Sequence, residues 1–215
     1  MGELYLVRHG QANTGATTEE DYDRLSPLGH TQAGLLGHWM RDHEAPFDLV
    51  VSGTMRRHLE TANGMGFAPE HTDERLNEMQ YFALVRDMEI HYDVAAPQSQ
   101  EDFANHIPQT LAAWEGATIR GSEPFATFET RIHAALAEAA KPGKRVLCVT
   151  SGGVISMVMR GALGLSTDQM AHVLLPIFNS SLHKFRIRPD GTFLMSFNAI
   201  PHLDPPHLAD HRTHI

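Results

Sequence analysis

Leu4-Tyr5-Leu6-Val7-Arg8-His9-Gly10 is the stretch whose reading decides the fold. Four apolar residues in a row have the length and composition of a buried strand. The run stops at a cation, an imidazole and a glycine. A strand that ends this way sets Arg8 and His9 side by side at the carboxyl edge of a sheet, where open α/β folds bind ligands. Gly10 lets the chain turn there without the Cβ clash that other residues would suffer.

Downstream of this stretch, strand and helix signals alternate. A polar loop, Gln11 to Arg24, leads to Ser26-Pro27, which reads as an N-cap with proline at the first helical position, opening a helix that runs to Met40 or Arg41. Phe47 to Val51 is a short buried-strand candidate, and Met55 to about Gly64 fits a helix that starts just past Ser52-Gly53. From about Met79 to Arg120 the pattern is less regular, with Pro97 and Pro108 interrupting helical periodicity, and this segment is expected to be a helical insertion over the site. Ser122 can cap an amphipathic helix carrying Phe125, Phe128, Ile132, Leu136 and Ala139, which Pro142-Gly143 ends. Arg145 to Thr150 reads as a central strand, and Ser151-Gly152-Gly153 opens another helix that Gly164 stops. Ser181 to Arg188 and Thr192 to Asn198 flank Pro189-Asp190-Gly191, the signature of an antiparallel hairpin. The expected fold is a three-layer α/β arrangement, a mostly parallel sheet with helices on both faces and a mixed edge.

Composition limits what such a chain can be. At 215 residues it is long enough for one well-filled core, so a single domain over 1–215 is expected, with an insertion at about 79–120 and a tail at about 201–215. A formal charge of −9 would repel a polyanion, so no nucleic-acid partner is expected. No apolar tract approaches membrane-spanning length and the N-terminus lacks the pattern of a secretory signal, which points to a cytoplasmic protein without a membrane partner. The single cysteine, Cys148, lies within Val146-Leu147-Cys148-Val149 and reads as a core thiol. A homo-oligomer is compatible with the composition.

Chemistry gathers where strands end. The second strand leads into Ser52-Gly53-Thr54-Met55-Arg56-Arg57-His58-Leu59-Glu60-Thr61-Ala62, which puts an arginine pair in a helix's first turn. A cation is unfavourable there unless an anion is expected, because helix N-termini already carry partial positive charge. Val149-Thr150-Ser151-Gly152-Gly153 offers backbone N–H groups at a third strand end, again suited to phosphate. Solvated arginines and an ordinary glycine turn are the plainer readings of these two stretches taken singly.

Together these blocks resemble the histidine phosphatase superfamily, the phosphoglycerate mutase-like proteins. The resemblance runs in order through residues 4 to 11, 25 to 33, Ser52 to Ala62, Leu76-Asn77-Glu78, Phe125 to Arg131, and Val149 to Ile155. It implies phosphoryl transfer through a phosphohistidine, with His9 as nucleophile, Arg8 and Arg57 as phosphate clamps, and Glu78 as proton donor and acceptor. Those roles make chemical sense. Guanidinium forks match phosphate oxygens bidentately. An imidazole with one nitrogen held as a donor presents the other as nucleophile. A carboxyl group beside a phosphate is pushed toward its protonated form by like charge, as a general acid requires.

Two departures from the family pattern bear on activity. The family usually carries a histidine before the Gly-Gly pair, and here that position is Ser151, which with Gly152 can still contact phosphate but brings no charge. Losing one preorganised donor typically costs about 2.7 to 4 kcal/mol. Of the 15 histidines, His58 is nearest in sequence to a site residue, but neighbouring helix positions point about 100° apart, so it is not expected to substitute. Second, the family's asparagine beyond the first turn is matched only by an early Asn13, a phosphate contact or a turn residue. The segment Glu78-Met79-Gln80-Tyr81-Phe82 also lacks the fuller acidic motif of the family's mutases, which favours a phosphatase.

The tail histidines 202, 207, 211 and 214 lie among Pro201, Pro205 and Pro206 at irregular spacing, so a mobile or surface-draped tail is expected and no metal or other cofactor is assigned. The leading expectation is a phosphomonoester hydrolase acting on a small phosphorylated molecule. A catalytically weak phosphate-binding module and a mutase-type phosphotransferase are the alternatives.

Overall fold

The structure, a computed structural model, describes residues 1–214; Ile215, the last residue of the tail, lies outside the described part. A six-stranded sheet runs in the order β3-β2-β4-β1-β5-β6, where β1 is Gly2–Arg8, β2 Leu49–Ser52, β3 His71–Thr72, β4 Arg145–Thr150, β5 Leu182–Arg188 and β6 Gly191–Ala199. Strands β1 to β4 are mutually parallel, and β5 and β6 form an antiparallel edge against β1. The strand-helix alternation and the hairpin are therefore as the sequence indicated.

Alternation along each strand divides the core into two layers. Leu4, Leu6, Val51, Val146 and Cys148 face one side, while Tyr5, Val7, Val50, Leu147 and Val149 face the other. The second side is covered by α2 (Pro27–His43) and α3 (Arg56–Gly64), which contribute Ala33, Leu36, Met40 and Ala62, with Met65 just past the end of α3. The first is covered by α4 (Tyr81–Tyr92), α5 (Gln100–Glu115), α6 (Phe125–Ala139), α7 (Gly152–Leu163) and α8 (Thr167–Leu174). Burial pushes the Cys148 thiol up to about 12, as a core thiol requires.

Helix boundaries follow their caps. Ser26 accepts from the Gly29 amide at 3.0 Å and Gly164 ends α7 with a left-handed φ of 67°, both as expected. Ser122 does not cap α6; Pro124 holds that position and the Ser122 hydroxyl instead donates to Gln80 Oε1 at 2.6 Å. Pro108 does not interrupt α5, which passes through it. A mid-helix proline costs about 3 kcal/mol, and here the buried face of Ile107, Leu111 and Trp114 outweighs it. Sequence periodicity also missed α8, although its Ser166-x-x-Gln169 capping box is written in the sequence.

The tail is neither loose nor merely draped. Two 3₁₀ turns, Pro201–Leu203 and Pro206–His211, bring it back to α2 and the sheet edge. Leu203 is fully buried, His202 pairs with Ser180 at 2.8 Å, and Gln32 of α2 donates to the His211 carbonyl at 2.7 Å. Proline-rich composition hid this docking because it reports backbone stiffness, not which surface the chain meets.

Candidate active site

The carboxyl ends of β1, β2 and β4 converge, and each delivers chemistry. His9 follows β1 with its backbone N–H donating to the Thr150 carbonyl of β4 at 2.9 Å and its carbonyl accepting from Ser180 at 3.1 Å. Its ring is buried, at 2% exposure. Nδ1 lies 2.7 Å from the Gly10 carbonyl oxygen, a backbone acceptor that favours the tautomer with its proton on Nδ1. Burial, reinforced by the charges of Arg57 and Arg8, holds its pKa well below the usual histidine value, so the ring is neutral at pH 7.

The glycine after His9 serves through close approach. A Cβ on Gly10 would run into the backbone of Gly29, and one on Gly29 into the backbone of Gln11. The first turn of α2 thus packs against the Arg-His-Gly turn, which explains why the 25 to 33 block accompanies it. The Gly10 amide also donates to Thr61 Oγ1 at 3.0 Å, tying this turn to α3.

Helix α3 presents Arg57, buried at 1% exposure. The anion that its helix N-terminus position calls for is Asp23, whose Oδ1 accepts from the Arg57 amide and from Nη1, each at 3.1 Å, while Oδ2 accepts from the Arg56 amide at 3.0 Å. Met55, at the cap position, makes no side-chain cap bond, so Asp23 caps α3 from outside. Arg56 turns outward to Glu60 at 2.6 Å. Arg8 donates through Nη1 to the carbonyl of Ile177 and, at 2.6 Å, to that of His214, so the tail helps to hold this guanidinium. Among the described residues, the buried Nε atoms of Arg8 and Arg57 have no partner, which leaves both donors for an anion.

Glu78 reaches the head of α7, where its Oε2 accepts from the Gly153 amide at 2.8 Å, and its Oε1 accepts from the Met79 amide at 3.1 Å. One of the backbone donors that the sequence suggested for phosphate is therefore engaged by this carboxylate. Arg131 of α6 orients the same segment by donating through Nη1 to the carbonyls of Arg75 and Asn77 at 2.6 and 2.8 Å, braced by Glu123. Arg131 belongs to a quoted block, but its inward reach could not be read from spacing.

Ser151 is fully buried, and its hydroxyl does not cap α7. It lies 2.5 Å from Nε2 of His58. His58 is also fully buried, and its ring centroid is 5.7 Å from that of His9 with the planes 34° apart. The expectation that His58 points away is thus corrected. A separation of about 100° on a helix still fits within one inward-facing stripe, and the first turn of α3 presents both Arg57 and His58 to the strand ends.

Asn13 does not join this cluster by any bond; its amide donates to the Asp21 carbonyl at 3.0 Å and organises its own loop. That loop carries a short helix, α1 (Glu19–Tyr22), which sequence reading treated as coil. Tyr22 lies under the Arg57 guanidinium at 5.2 Å, and partial burial raises the pKa of Glu19, whose Oε1 accepts from the Phe82 amide at 3.3 Å. The signal for α1 was Thr18, which accepts from the Asp21 amide at 3.2 Å, ahead of acids in the first turn.

Comparison with known proteins agrees with this architecture. The crystal structure of an Entamoeba histolytica phosphoserine phosphatase in complex with 3-phosphoglyceric acid is similar with a TM-score of 0.65 and 21% identity, covering 94% of this chain and 100% of that one. The mycobacterial glucosyl-3-phosphoglycerate phosphatase is similar with a TM-score of 0.64 and 22% identity, over 93% and 99% of the two chains. A 2,3-bisphosphoglycerate-dependent phosphoglycerate mutase of Streptococcus pyogenes is 27% identical over 210 residues, 83% of this chain and 90% of the relative. The family model of the histidine phosphatase superfamily (branch 1) matches residues 4–200, from the first strand through the last, and the chain belongs to that family.

Proposed function

We propose that the protein is a phosphomonoester hydrolase that works through a phosphohistidine on His9, within a single domain whose 79–120 insertion shapes access for a small phosphorylated substrate. The observation that carries this reading is the His9 ring, buried beside two arginines with Nδ1 at 2.7 Å from the Gly10 carbonyl oxygen. With Nδ1–H donating there, Nε2 keeps its lone pair for phosphorus.

In the first step a bond forms between His9 Nε2 and phosphorus as the ester P–O bond breaks, and the leaving oxygen takes a proton from the Glu78 carboxyl. In the second, water attacks phosphorus, its proton passes to Glu78, and the N–P bond breaks to release phosphate. Arg8 and Arg57 donate to the phosphoryl oxygens in both steps, with Ser151 and Gly152 at the head of α7 completing the proposed phosphate site. Asn13 is assigned to holding its loop. The arginines and helix terminus supply the positive field, so turnover is expected in the presence of a chelator.

The phosphatase names of two similar structures support a hydrolase of small phosphorylated molecules, and the printed name of the 27% identical relative favours a mutase as second reading. The acceptor separates them, since a mutase discharges its phosphoenzyme to phosphoglycerate and a hydrolase to water. The test is a panel of phosphomonoesters assayed in chelator on the native protein and on His9→Ala. Phosphate release with an acid-labile phosphoenzyme, both lost in His9→Ala, is the expected result. Equal release by His9→Ala would overturn the proposal.

A further inference from the structure

We infer that His58 supplies from α3 the imidazole that position 151 lacks, orienting the Ser151 hydroxyl as a donor to the phosphoryl group moving onto His9, so that the two side chains form one functional unit. This rests on the phosphohistidine reading above, because it assigns a role within that reaction.

Three features of the site carry it. Both partners are fully buried, 2.5 Å apart, with the His58 ring 5.7 Å from the His9 ring at the same strand ends. A serine at an N-cap ordinarily bonds the amide two or three residues on, whereas this one is turned away from its own helix, and the Gly153 amide is met by Glu78. Finally, room for the ring is built in. A Cβ on Gly53 would collide with His58 Nδ1, so the glycine at the end of β2, the histidine on α3 and the serine on α7 fit as a set.

Hydrogen-bond accounting gives the direction of action. Burial and the neighbouring Arg57 charge keep the His58 ring neutral, so it carries one N–H. Among the described residues Nδ1 has no partner. If the proton were on Nδ1, a buried donor would be left unpaired, which is the costlier choice. With the proton on Nε2, that N–H donates to Ser151 Oγ, and the serine proton is free to point at a phosphoryl oxygen. His58 is thus a positioning residue for Ser151, acting as a neutral ring that donates through Nε2.

The test measures the rate of phosphoenzyme formation from p-nitrophenyl phosphate, and separately the affinity for orthovanadate, which needs no turnover. Variants are His58→Ala, His58→Gln, Ser151→Ala, both alanines together, and His58→Ala combined with Ser151→His. Each single alanine is expected to slow phosphoenzyme formation by about 100- to 1,000-fold and to weaken vanadate binding. The double alanine variant should be little worse than either single one, as members of a unit behave. The swapped variant should recover at least tenfold over His58→Ala, which loss of packing alone would not allow. If His58→Ala fails to fold, His58→Gln, which keeps a donor at the ring edge, should fold and retain most of the rate. His58→Ala folded and within threefold of native, independent multiplication of the two single effects, or no recovery in the swap would each overturn the inference. A native protein that forms no phosphoenzyme would overturn the functional reading instead, and the vanadate affinities would still judge the His58 pair.

Discussion

Asp23 offers the sharpest perturbation of Arg57, one of the two proposed phosphate clamps. Its carboxylate caps α3 through two backbone amides and meets Arg57 Nη1 at 3.1 Å. Loss of an N-cap costs about 1 kcal/mol. Breaking a buried ion pair costs about 3 to 5 kcal/mol, but Asp23 is 26% exposed and water replaces part of what is lost, so Asp23→Ala should destabilise by about 2 to 3 kcal/mol in all. For a chain of this length that lowers Tm by about 4 to 12 °C. Asp23→Asn keeps an oxygen at the cap and should lose about 1 kcal/mol less. Both variants free the Arg57 guanidinium from its anchor, and a misplacement of under 1 Å at a phosphate clamp is enough to reduce kcat about tenfold. The same change removes a negative charge near the site, so KM for a phosphate dianion should not rise. Calorimetry together with steady-state kinetics on a phosphomonoester reads all three quantities. Native Tm and native kcat in Asp23→Ala would refute the assignment of cap and anchor to this one carboxylate.

Arg131→Lys loses the fork that spans two carbonyls and Glu123, and should reduce stability by about 2 kcal/mol and kcat about tenfold, read by urea unfolding and kinetics. Gly53→Ala should displace the His58 ring from Ser151 and slow phosphoenzyme formation about 100-fold while the circular dichroism spectrum stays native; full activity would show that contact to be slack. Burial pushes the His183 pKa down to about 3 and that of His202 down to about 4. Below pH 6.5 the unfolded chain therefore binds more protons than the native one, and each of the two should contribute about 1 kcal/mol of lost stability between pH 7 and 5.5. Urea midpoints at the two pH values check this, and His202→Asn should remove its share of the slope. Ending the chain after Asp204 removes the His214 carbonyl from Arg8 and the His211 carbonyl from Gln32, and should weaken vanadate binding and lower Tm; an unchanged affinity would mean the tail does not orient the clamp.

What the sequence made legible is what local rules encode. The apolar runs Leu4 to Val7 and Val146 to Val149, the Ser26-Pro27 cap and the Gly164 stop each depend on neighbours a few residues away, and each reappears in the structure. Arg8, His9, Arg57 and Ser151 stand out together in the sequence because strand ends share one edge of a parallel sheet, whereas Glu78 stands out only through the family resemblance. Contacts set by tertiary approach were not legible. The hold of Asp23 on Arg57, the reach of Arg131 to Asn77 and the docking of the tail on Arg8 join residues 34, 54 and 206 positions apart. Pro108 shows the reverse failure, a correct local penalty overruled by burial of the helix that contains it.

Ser151 shows why a site is better reasoned about as a volume than as a string of positions. Aligned on the chain, serine in place of histidine looks like a loss of about 2.7 to 4 kcal/mol of transition-state stabilisation. In space, an imidazole stands 2.5 Å from that serine, brought by the opposite wall and admitted by a glycine on a third element. The exchange also changes what repair means. Ser151→His made alone would drive a second ring into the fully buried space that His58 already fills, so it should lower activity rather than raise it. Only with His58 cut back to alanine does position 151 have room for a histidine. A gain of activity from Ser151→His in the otherwise native chain would mean that the His58 ring leaves the pocket readily, and the complementarity argued from these three residues would not hold.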